Sequence, residues 1–396
     1  MEEPRRLYSP EFIAVTVILL FAFLNIAVFF SFYTYLGRIG VSPAWKGFLL
    51  GLEPMAAFLL RPLVVSRLHA GNAPDWMAAS LVLLVLALVS YPYVVSVPGI
   101  AAVRIVHGAA FVLLVSAAFT VVVNFIPRQR SAEGFSVISL ATLIPYAVMP
   151  PVTEYLLGRV GSEAAIYAGV AFLALPAAVL LLCVRKKMIV EANARGAVLS
   201  RSTLADVLES FRNRDIALLF GINFFIYISH ATVFFFMKDF ALAAGMRNVG
   251  AFFTIYTAVM IAVRLLGNRV FDRLDKLRTL SAALAALAVC LLALRFVSSE
   301  AFFYALAAVY GLCVGVGLPM LNAALFDVSP PRHRGLNTNI ALFMMDGGFF
   351  LGPYLGGAVI AAGWPVSSTI LGCVFFVLIG CGLSVAAAGR ASERAE

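Results

Sequence analysis

The sequence predicts an all-α integral membrane protein whose twelve transmembrane helices form two six-helix bundles related as a parallel repeat. First, 62% of the 396 residues are hydrophobic and only 12% are charged, whereas ordinary soluble domains carry roughly 25% charged residues. Second, apolar runs of about 20 residues recur along the chain, and that length crosses a bilayer core of about 30 Å. Third, the two halves of the chain share short motifs at a constant offset.

The apolar runs are long enough to predict twelve spans. The first run counts as a span, because it is too long for a signal peptide and no small-residue cleavage site follows it. The predicted spans are residues 11–36, 44–66, 75–95, 98–126, 134–158, 163–184, 215–242, 249–271, 278–297, 300–326, 336–361 and 364–388.

The longest polar stretch lies between the sixth and seventh spans and divides the chain. We therefore expect an N-terminal six-helix bundle in residues 1–184, a cytoplasmic linker in 185–214 and a C-terminal six-helix bundle in 215–396. Within the linker, TLADVLESF (203–211) is typical of a short amphipathic helix.

Basic residues are concentrated on one side of the predicted membrane. Most of the 29 Lys and Arg residues fall in the terminal segments, in the linker and in loops on the same side as these. Because Lys and Arg are enriched in cytoplasmic loops, this predicts a multi-pass protein of the cytoplasmic (inner) membrane with both termini in the cytoplasm. The formal charge of +9 is then a topology signal, and we expect no nucleic-acid partner.

Two loop motifs of the first half recur in the second half. LLRPLVVSRL (59–68) recurs as LLGNRVFDRL (265–274), and IPRQRSAEG (126–134) recurs as SPPRHRGLN (329–337), an offset of about 204 residues. At a similar offset, a glycine precedes the second and the eighth span, at Gly40 and Gly245. Six spans followed by six in the same orientation form a parallel repeat.

These motifs resemble those of the major facilitator superfamily, and the resemblance covers essentially the whole chain. GNRVFDRLDK (267–276) is similar to the family's signature loop after the eighth span, and RIVHG (104–108) to its fourth-span motif. The resemblance implies the major facilitator fold and secondary active transport by alternating access. It implies proton coupling for the Arg of the fourth-span motif. It also makes the loop residues Arg67, Asp272 and Arg273 gate candidates, although Ser66 stands where the family usually has Asp.

Ionisable side chains inside spans are functional candidates, because placing a charge in hydrocarbon costs several kcal/mol. Asp346 and Arg264 fall at similar depth in the eleventh and eighth spans, and we expect them to pair. A second expected pair joins Glu53 and Arg104. Pairing that only holds the fold and a role in transport are both open for Asp346, and the two are compatible. His230, in the seventh span, is another candidate, although an interior His more often has a structural role.

The stretch MMDGGFFLGPYLGG (344–357) surrounds this carboxylate with glycines. Gly348, Gly352 and Gly356 recur every four residues, so they share one helix face and allow a neighbouring helix to approach closely. Pro353 bends the span and frees a backbone carbonyl. The pattern therefore indicates either simple close packing or a polar switch residue on a bendable helix.

Spans one, four, seven and ten line the central cavity in the family that the chain resembles. Their polar side chains are candidates for contact with a substrate, namely Asn25, Tyr227 and Asn322, beside His230 and Arg104. Amides mixed with aromatic rings suit an amphipathic small molecule.

The expected function is proton-coupled export of a small amphipathic organic solute by an antiporter. The sequence has no GxxxxGK[ST] nucleotide-binding loop, so we expect an ion gradient or the substrate itself to supply the energy. A proton-coupled organic-anion (monocarboxylate-like) transporter is the alternative, since Arg264 suits a carboxylate. A non-transporting membrane sensor is a third interpretation.

An enzyme is not expected, because neither HExxH nor GxSxG occurs. None of the five cysteines shows metal-ligand spacing, so we expect no metal and no cofactor. The expected partners are a small-molecule substrate, protons and the lipid bilayer, and the expected state is a monomer.

Overall fold

A computed structural model of the chain describes residues 7–69, 71–122, 125–126, 131–194, 204–271, 274–330 and 333–393. These residues form helices joined by short turns, and no strand occurs among them. The prediction of an all-α protein is confirmed.

The helices of the first half follow the predicted spans, with two interruptions. The first span is divided by a 3₁₀ segment at Val28–Ser31, and the sixth by a 3₁₀ segment at Ala171–Leu173. The α-helices are α1 (Pro10–Ala27), α2 (Phe32–Arg38), α3 (Pro43–Arg67), α4 (Ala73–Ser90), α5 (Val97–Val122), α6 (Ser131–Val160), α7 (Glu163–Val170) and α8 (Ala174–Ala194).

The helices of the second half begin with the short helix predicted in the linker. It is α9 (Leu204–Arg212), which lies in the stretch where that helix was predicted. The remaining helices are α10 (Arg214–Ala243), α11 (Gly250–Phe271), α12 (Lys276–Leu294), α13 (Glu300–Val328), α14 (Arg334–Ala361) and α15 (Ser367–Glu393). In the described part of the chain, eleven helical segments are long and apolar enough to cross a membrane, and the eighth predicted span coincides with α11, which is apolar over Gly250–Leu266.

Several helices begin at a side chain that accepts a hydrogen bond from the first turn. The Oγ atoms of Ser9, Ser162 and Ser299 accept from backbone N–H groups three residues ahead, and Asp275 does the same for α12. Such caps satisfy N–H groups that the helix itself leaves without a partner. The sequence thus fixes where these helices start.

Matching glycines end matching helices in the two halves. Gly40 and Gly245, after α2 and α10, have φ of 80° and 81°, and Gly161 and Gly363, after α6 and α14, have φ of 73° and 89°. Only glycine adopts this left-handed conformation without strain. The internal repeat read from the sequence therefore recurs in the backbone.

Packing divides the chain into two compact units. The first comprises Met1–Phe29 and Met55–Ser200, and the second comprises Phe30–Pro54 and Arg201–Glu396. The segment Phe30–Pro54 thus packs with helices that lie much later in the chain. The bundle and linker boundaries expected at 184/185 and 214/215 stay a prediction.

In the first unit, α1 packs against α5, α6 and α8, and α4 packs against α5. In the second unit, α10 packs against α14 and α15, α12 packs against α13 and α15, and α11 packs against α13. These contacts place the residues of the candidate site, which come mainly from α10, α11, α13 and α14.

Candidate functional site

The three glycines of α14 lie against α10. A Cβ on Gly348 would come within 2.9 Å of the Phe224 carbonyl oxygen, and one on Gly352 within 2.5 Å of the Ile228 carbonyl oxygen. A Cβ on Gly356 would meet the ring of Phe236. The two helices therefore approach backbone to backbone, and the close packing predicted from the four-residue glycine spacing is confirmed.

This close approach brings Tyr227 of α10 beside the charged residues of the neighbouring helices. Asp346 is buried, with 6% of its surface exposed, and Arg264 is half-buried. Tyr227 lies within electrostatic range of both. Two opposite charges and one phenol therefore form a polar cluster inside the second unit. The direct Arg264–Asp346 pair stays a prediction.

His230 extends this cluster along α10. Its Nδ1 lies 2.8 Å from the hydroxyl oxygen of Tyr310, and the two rings are nearly parallel, with centroids 6.1 Å apart. Tyr227, Tyr256 and Phe349 each contact the imidazole edge to face. The charged groups therefore lie next to an aromatic wall, which suits contact with a planar or apolar part of a solute.

Two amides of the second unit have different environments. Asn223 is buried, and its Nδ2 donates to the Ala341 carbonyl oxygen at 2.9 Å, so it ties α10 to α14. Asn322, which was predicted to face a cavity, is exposed on α13. Asn223 therefore has a structural role, and Asn322 lies outside the buried polar cluster.

The first unit holds its own buried polar residues. Arg104 is 1% exposed, and its guanidinium carbon lies 5.3 Å from the ring centroid of Phe29. The Nδ1 of His107 lies 3.4 Å from the Tyr91 hydroxyl oxygen. The Nδ2 of Asn25 donates to the Phe21 carbonyl oxygen at 2.6 Å. The Nε2 of His107 and the Oδ1 of Asn25 are buried and find no hydrogen-bond partner among the described residues.

The remaining candidates fall elsewhere in the fold. Glu53 is buried and belongs to the second unit, while Arg104 belongs to the first, so their pairing stays a prediction. Arg67 is exposed at the end of α3, and its carbonyl oxygen accepts from Asn72. The gate-loop candidates Asp272 and Arg273 lie outside the described residues.

A second charged group in the second unit was not recognised from the sequence as a site. Thr34 of α2 donates to the Oδ2 of Asp239 at 3.2 Å, and Lys46 and Lys238 are within electrostatic range of that carboxylate. Because these residues fall at the ends of predicted spans, their charges were interpreted as topology signals. Nothing local in the sequence brings Thr34 next to Asp239.

One group of potential metal ligands occurs among the described residues. The ligand atoms of Asp206, Glu209 and His333 lie within 4.8 Å of one another, and the Nε2 of His333 is 3.5 Å from Asp206 Oδ1. This contact joins α9 to the start of α14 as an ion pair when the imidazole is charged. Because that pairing accounts for the arrangement, we assign no metal to it.

The sequence profile of the Major Facilitator Superfamily matches residues 15–294 and, again, residues 217–394. The chain is a member of the major facilitator superfamily. It is therefore a membrane transporter and not an enzyme.

Solved structures of other transporters share the fold. A mutant of the nucleoside transporter NupG has a TM-score of 0.76 at 13% identity, over 95% of this chain and 99% of that one. NupG itself scores 0.74 at 14% identity, over 96% and 98%. A bacterial homolog of the human lysosomal transporter Spinster, inward-facing and unoccupied, scores 0.72 at 14% identity, over 98% of each chain. No curated protein matches the sequence. At these identities the likeness establishes the fold alone.

Proposed function

We propose that this superfamily member is a secondary active transporter that exports a small amphipathic organic solute in exchange for protons. The observation that carries the proposal is the cluster of Arg264, Asp346 and Tyr227 beside the aromatic wall around His230. Alternating access around a mid-membrane site is the working cycle of such folds.

The composition of the cluster supports an amphipathic solute. Rings of Tyr227, Tyr256 and Phe349 offer apolar faces and edges around His230, while the nearby carboxylate and guanidinium offer charge and directional hydrogen bonds. Binding sites for small molecules typically combine apolar walls with a few polar groups that fix orientation. A solute with one ring or chain and one polar end matches both parts.

Asp346 supports protons as the coupling ion. A carboxylate deep in a helical bundle is costly, and a proton removes that cost by neutralising it. Loss of its charge also changes the attraction between Asp346 and nearby Arg264. Binding of a proton therefore changes the same cluster that contacts the solute, which is what an exchange mechanism requires. Arg104, Glu53 and Asn25 are further candidates for coupling or substrate contact.

A proton-coupled organic-anion transporter is the second candidate, and Arg264 favours it. A guanidinium presents a planar fork of donors that matches a carboxylate with two parallel hydrogen bonds. An anion at this position would have to compete with Asp346 for the same cation. For that reason export of an amphipathic solute is our first proposal.

Purified protein in liposomes separates the two candidates. Pyranine inside the vesicles reports proton movement, and the added solutes are ethidium, lactate and uridine, the last because a structural neighbour is a nucleoside transporter. We expect ethidium to drive a pH change that depends on the imposed gradient and is lost in Asp346→Asn. The matched control is Asp215→Asn. Asp215 lies in the first turn of α10, and this variant should transport normally.

Three results would change the proposed function. Movement of lactate alone, abolished by Arg264→Ala, would replace the first proposal by the second. A thermal stabilisation of the protein by a solute without any flux would favour the sensor interpretation and exclude both transport proposals. Ethidium movement unaffected by Asp346→Asn would remove this carboxylate from the coupling step.

We further propose that the transporter resides in the cytoplasmic membrane as a monomer with both termini in the cytoplasm. The distribution of Lys and Arg along the chain supports this orientation. Tags at each terminus, tested for protease access in intact cells, should be protected. A terminus digested in intact cells would contradict the orientation.

A further inference from the structure

The charged group around Asp239 lies at the end of α10, twelve residues beyond Tyr227, which is about 18 Å along a helix. The Oγ1 of Thr34 donates to Asp239 Oδ2 at 3.2 Å. Lys46 and Lys238 are both close enough to interact electrostatically with this carboxylate. One hydroxyl thus donates to this carboxylate, and two ammonium groups lie within electrostatic range of it.

The ammonium group of Lys46 packs against two residues of α2, Tyr33 and Gly37. Its Nζ lies 4.6 Å from the ring centroid of Tyr33, and that ring packs 4.9 Å from the ring of Phe236 on α10. A Cβ on Gly37 would lie only 2.9 Å from the same Nζ. The glycine therefore leaves room for the ammonium, and the tyrosine provides a cation–π partner for it.

Lys238, the residue before Asp239 in the chain, is buried against an aromatic ring. Only 6% of its surface is exposed, and its Nζ lies 5.1 Å from the ring centroid of Phe30. Phe30 in turn contacts Phe253 of α11 edge to face, with ring centroids 5.6 Å apart. The charges are therefore partly enclosed by aromatic rings, which strengthens their attraction relative to water.

Two glycines of α3, Gly47 and Gly51, pack closely against α14. A Cβ on Gly47 would come within 2.8 Å of the Pro353 carbonyl oxygen, and one on Gly51 within 2.8 Å of the Phe350 carbonyl oxygen. Gly357 faces Gly47 at the same crossing. Two helix backbones therefore touch next to the charged group.

All of these contacts attach one segment, Phe30–Pro54, to α10, α11 and α14. The chain before it, through Phe29, and the chain after it, from Met55, pack in the first unit. The segment therefore packs with one unit while its two covalent connections lead into the other.

We infer that Thr34, Lys46 and Asp239 form a charge latch that positions Phe30–Pro54 on the second unit, and that the latch opens during the transport cycle. The inference rests on the proposed alternating-access function. Asp239 attracts Lys46 and accepts from Thr34, so removal of its charge loses the attraction to Lys46 and weakens the hydrogen bond from Thr34. These are positioning residues, and no contact with the solute is assigned to them.

Distance measurement between spin labels tests the latch without any solute. The five cysteines are replaced by alanine, and labels are attached at Ser42→Cys, just before α3, and at Ala243→Cys, at the end of α10, both exposed residues near the latch. Double electron–electron resonance in nanodiscs then gives the ratio of long to short distances. In the parent we expect mainly the short distance. Asp239→Asn should raise that ratio about tenfold, since hydrogen bonds to charged groups are among the stronger ones.

Further variants separate a latch from a general loss of structure. Lys46→Met should act like Asp239→Asn, Lys46→Arg should keep the short distance, and the exchange Lys46→Asp with Asp239→Lys should recover it. Thr34→Val, which keeps the shape of the side chain, should raise the ratio by a smaller factor. The matched control is Asp215→Asn at the other end of α10, where the carboxylate pairs with Arg390, and it should leave the distances unchanged.

An unchanged distribution in both Asp239→Asn and Thr34→Val would overturn the latch. An equal change in Asp215→Asn would do the same, because the effect would then belong to any lost charge on the helix. A shift in distances with no solute flux would retain the latch and exclude the proposed transport. Solute flux without a change in the spin-label distances would exclude the latch and leave the proposed transport unaffected.

Discussion

The Nδ1 of His230 and the hydroxyl oxygen of Tyr310 lie 2.8 Å apart, with their rings inclined by only 15°. Tyr310 is 1% exposed, so its hydroxyl depends on this partner, because buried polar groups need one. The contact joins α10 to α13 beside the polar cluster. It thereby fixes the orientation of the imidazole toward Tyr227 and Phe349.

Replacing Tyr310 by Phe should destabilise the protein by about 1–3 kcal/mol, the usual cost of leaving a buried hydrogen-bonding group without its partner. Reversible unfolding in mixed detergent micelles measures this free energy. Tyr304→Phe is the control, because its hydroxyl donates to the Asn248 carbonyl oxygen at an exposed position. Equal losses in the two variants would show that the buried contact with His230 has no special weight.

Replacing Gly348 by Ala should lower stability by about 1–3 kcal/mol, because an added methyl overpacks a tight site. The new Cβ would come within 2.7 Å of the Tyr227 Cβ and 2.9 Å of the Ile228 nitrogen. The control is Gly372→Ala on α15, where a Cβ would meet nothing within 4 Å. The midpoint of thermal unfolding reports both, and a matching decrease in the control would contradict the packing argument.

A double-mutant cycle tests the expected pairing of Arg264 with Asp346. If the two side chains pair, the double variant Arg264→Ala with Asp346→Ala should cost less than the sum of the two single variants, with a coupling of about 0.5–3 kcal/mol. The physical reason is that each single change leaves one charge in the helical interior without its counter-charge. Additive unfolding free energies would exclude the pair.

The ion pair between Lys187 and Glu11 should show an asymmetric response. Their Nζ and Oε1 atoms lie 2.7 Å apart, and Glu11 is buried while Lys187 is exposed. Lys187→Met leaves a buried carboxylate without its cation, and we expect a loss of about 1–3 kcal/mol. Glu11→Gln, which leaves an exposed lysine, should cost less.

Arg185→Met is the control on the same helix. Arg185 pairs with Asp75, and both side chains are exposed, so its loss should cost at most about 1 kcal/mol. A larger loss in this variant than in Lys187→Met would contradict the argument from burial. Urea titration of the purified protein gives the comparison.

The close packing of α14 on α10 could be predicted from the sequence. Small residues every four positions place a flat stripe on one helix face whatever the tertiary context, and that stripe packs on α10 as expected. The buried position of Asp346 was likewise predictable, because a lone carboxylate in an apolar run has to be enclosed by protein. Both inferences depend on periodicity within one helix.

The group around Asp239 shows what was not predictable. Thr34 and Asp239 are 205 residues apart, and only the packing of α2 on α10 brings them together. Lys46 and Lys238 carry the same charge as ordinary loop residues, so composition cannot separate a latch from a topology signal. The 3₁₀ segment Val28–Ser31 is equally hidden, because VFFS is as apolar as the α-helix before it.

That segment has a mechanical consequence. Phe29 and Phe30 are neighbours within it, yet they pack in different units. A continuous α-helix would transmit any tilt of α1 directly to α2, whereas a 3₁₀ turn has poorer hydrogen bonds and often marks a flexible point in a helix. The first transmembrane helix is therefore not one uniform α-helix: its hydrogen-bonding pattern changes at Phe29 and Phe30, the point where the chain passes from one unit to the other.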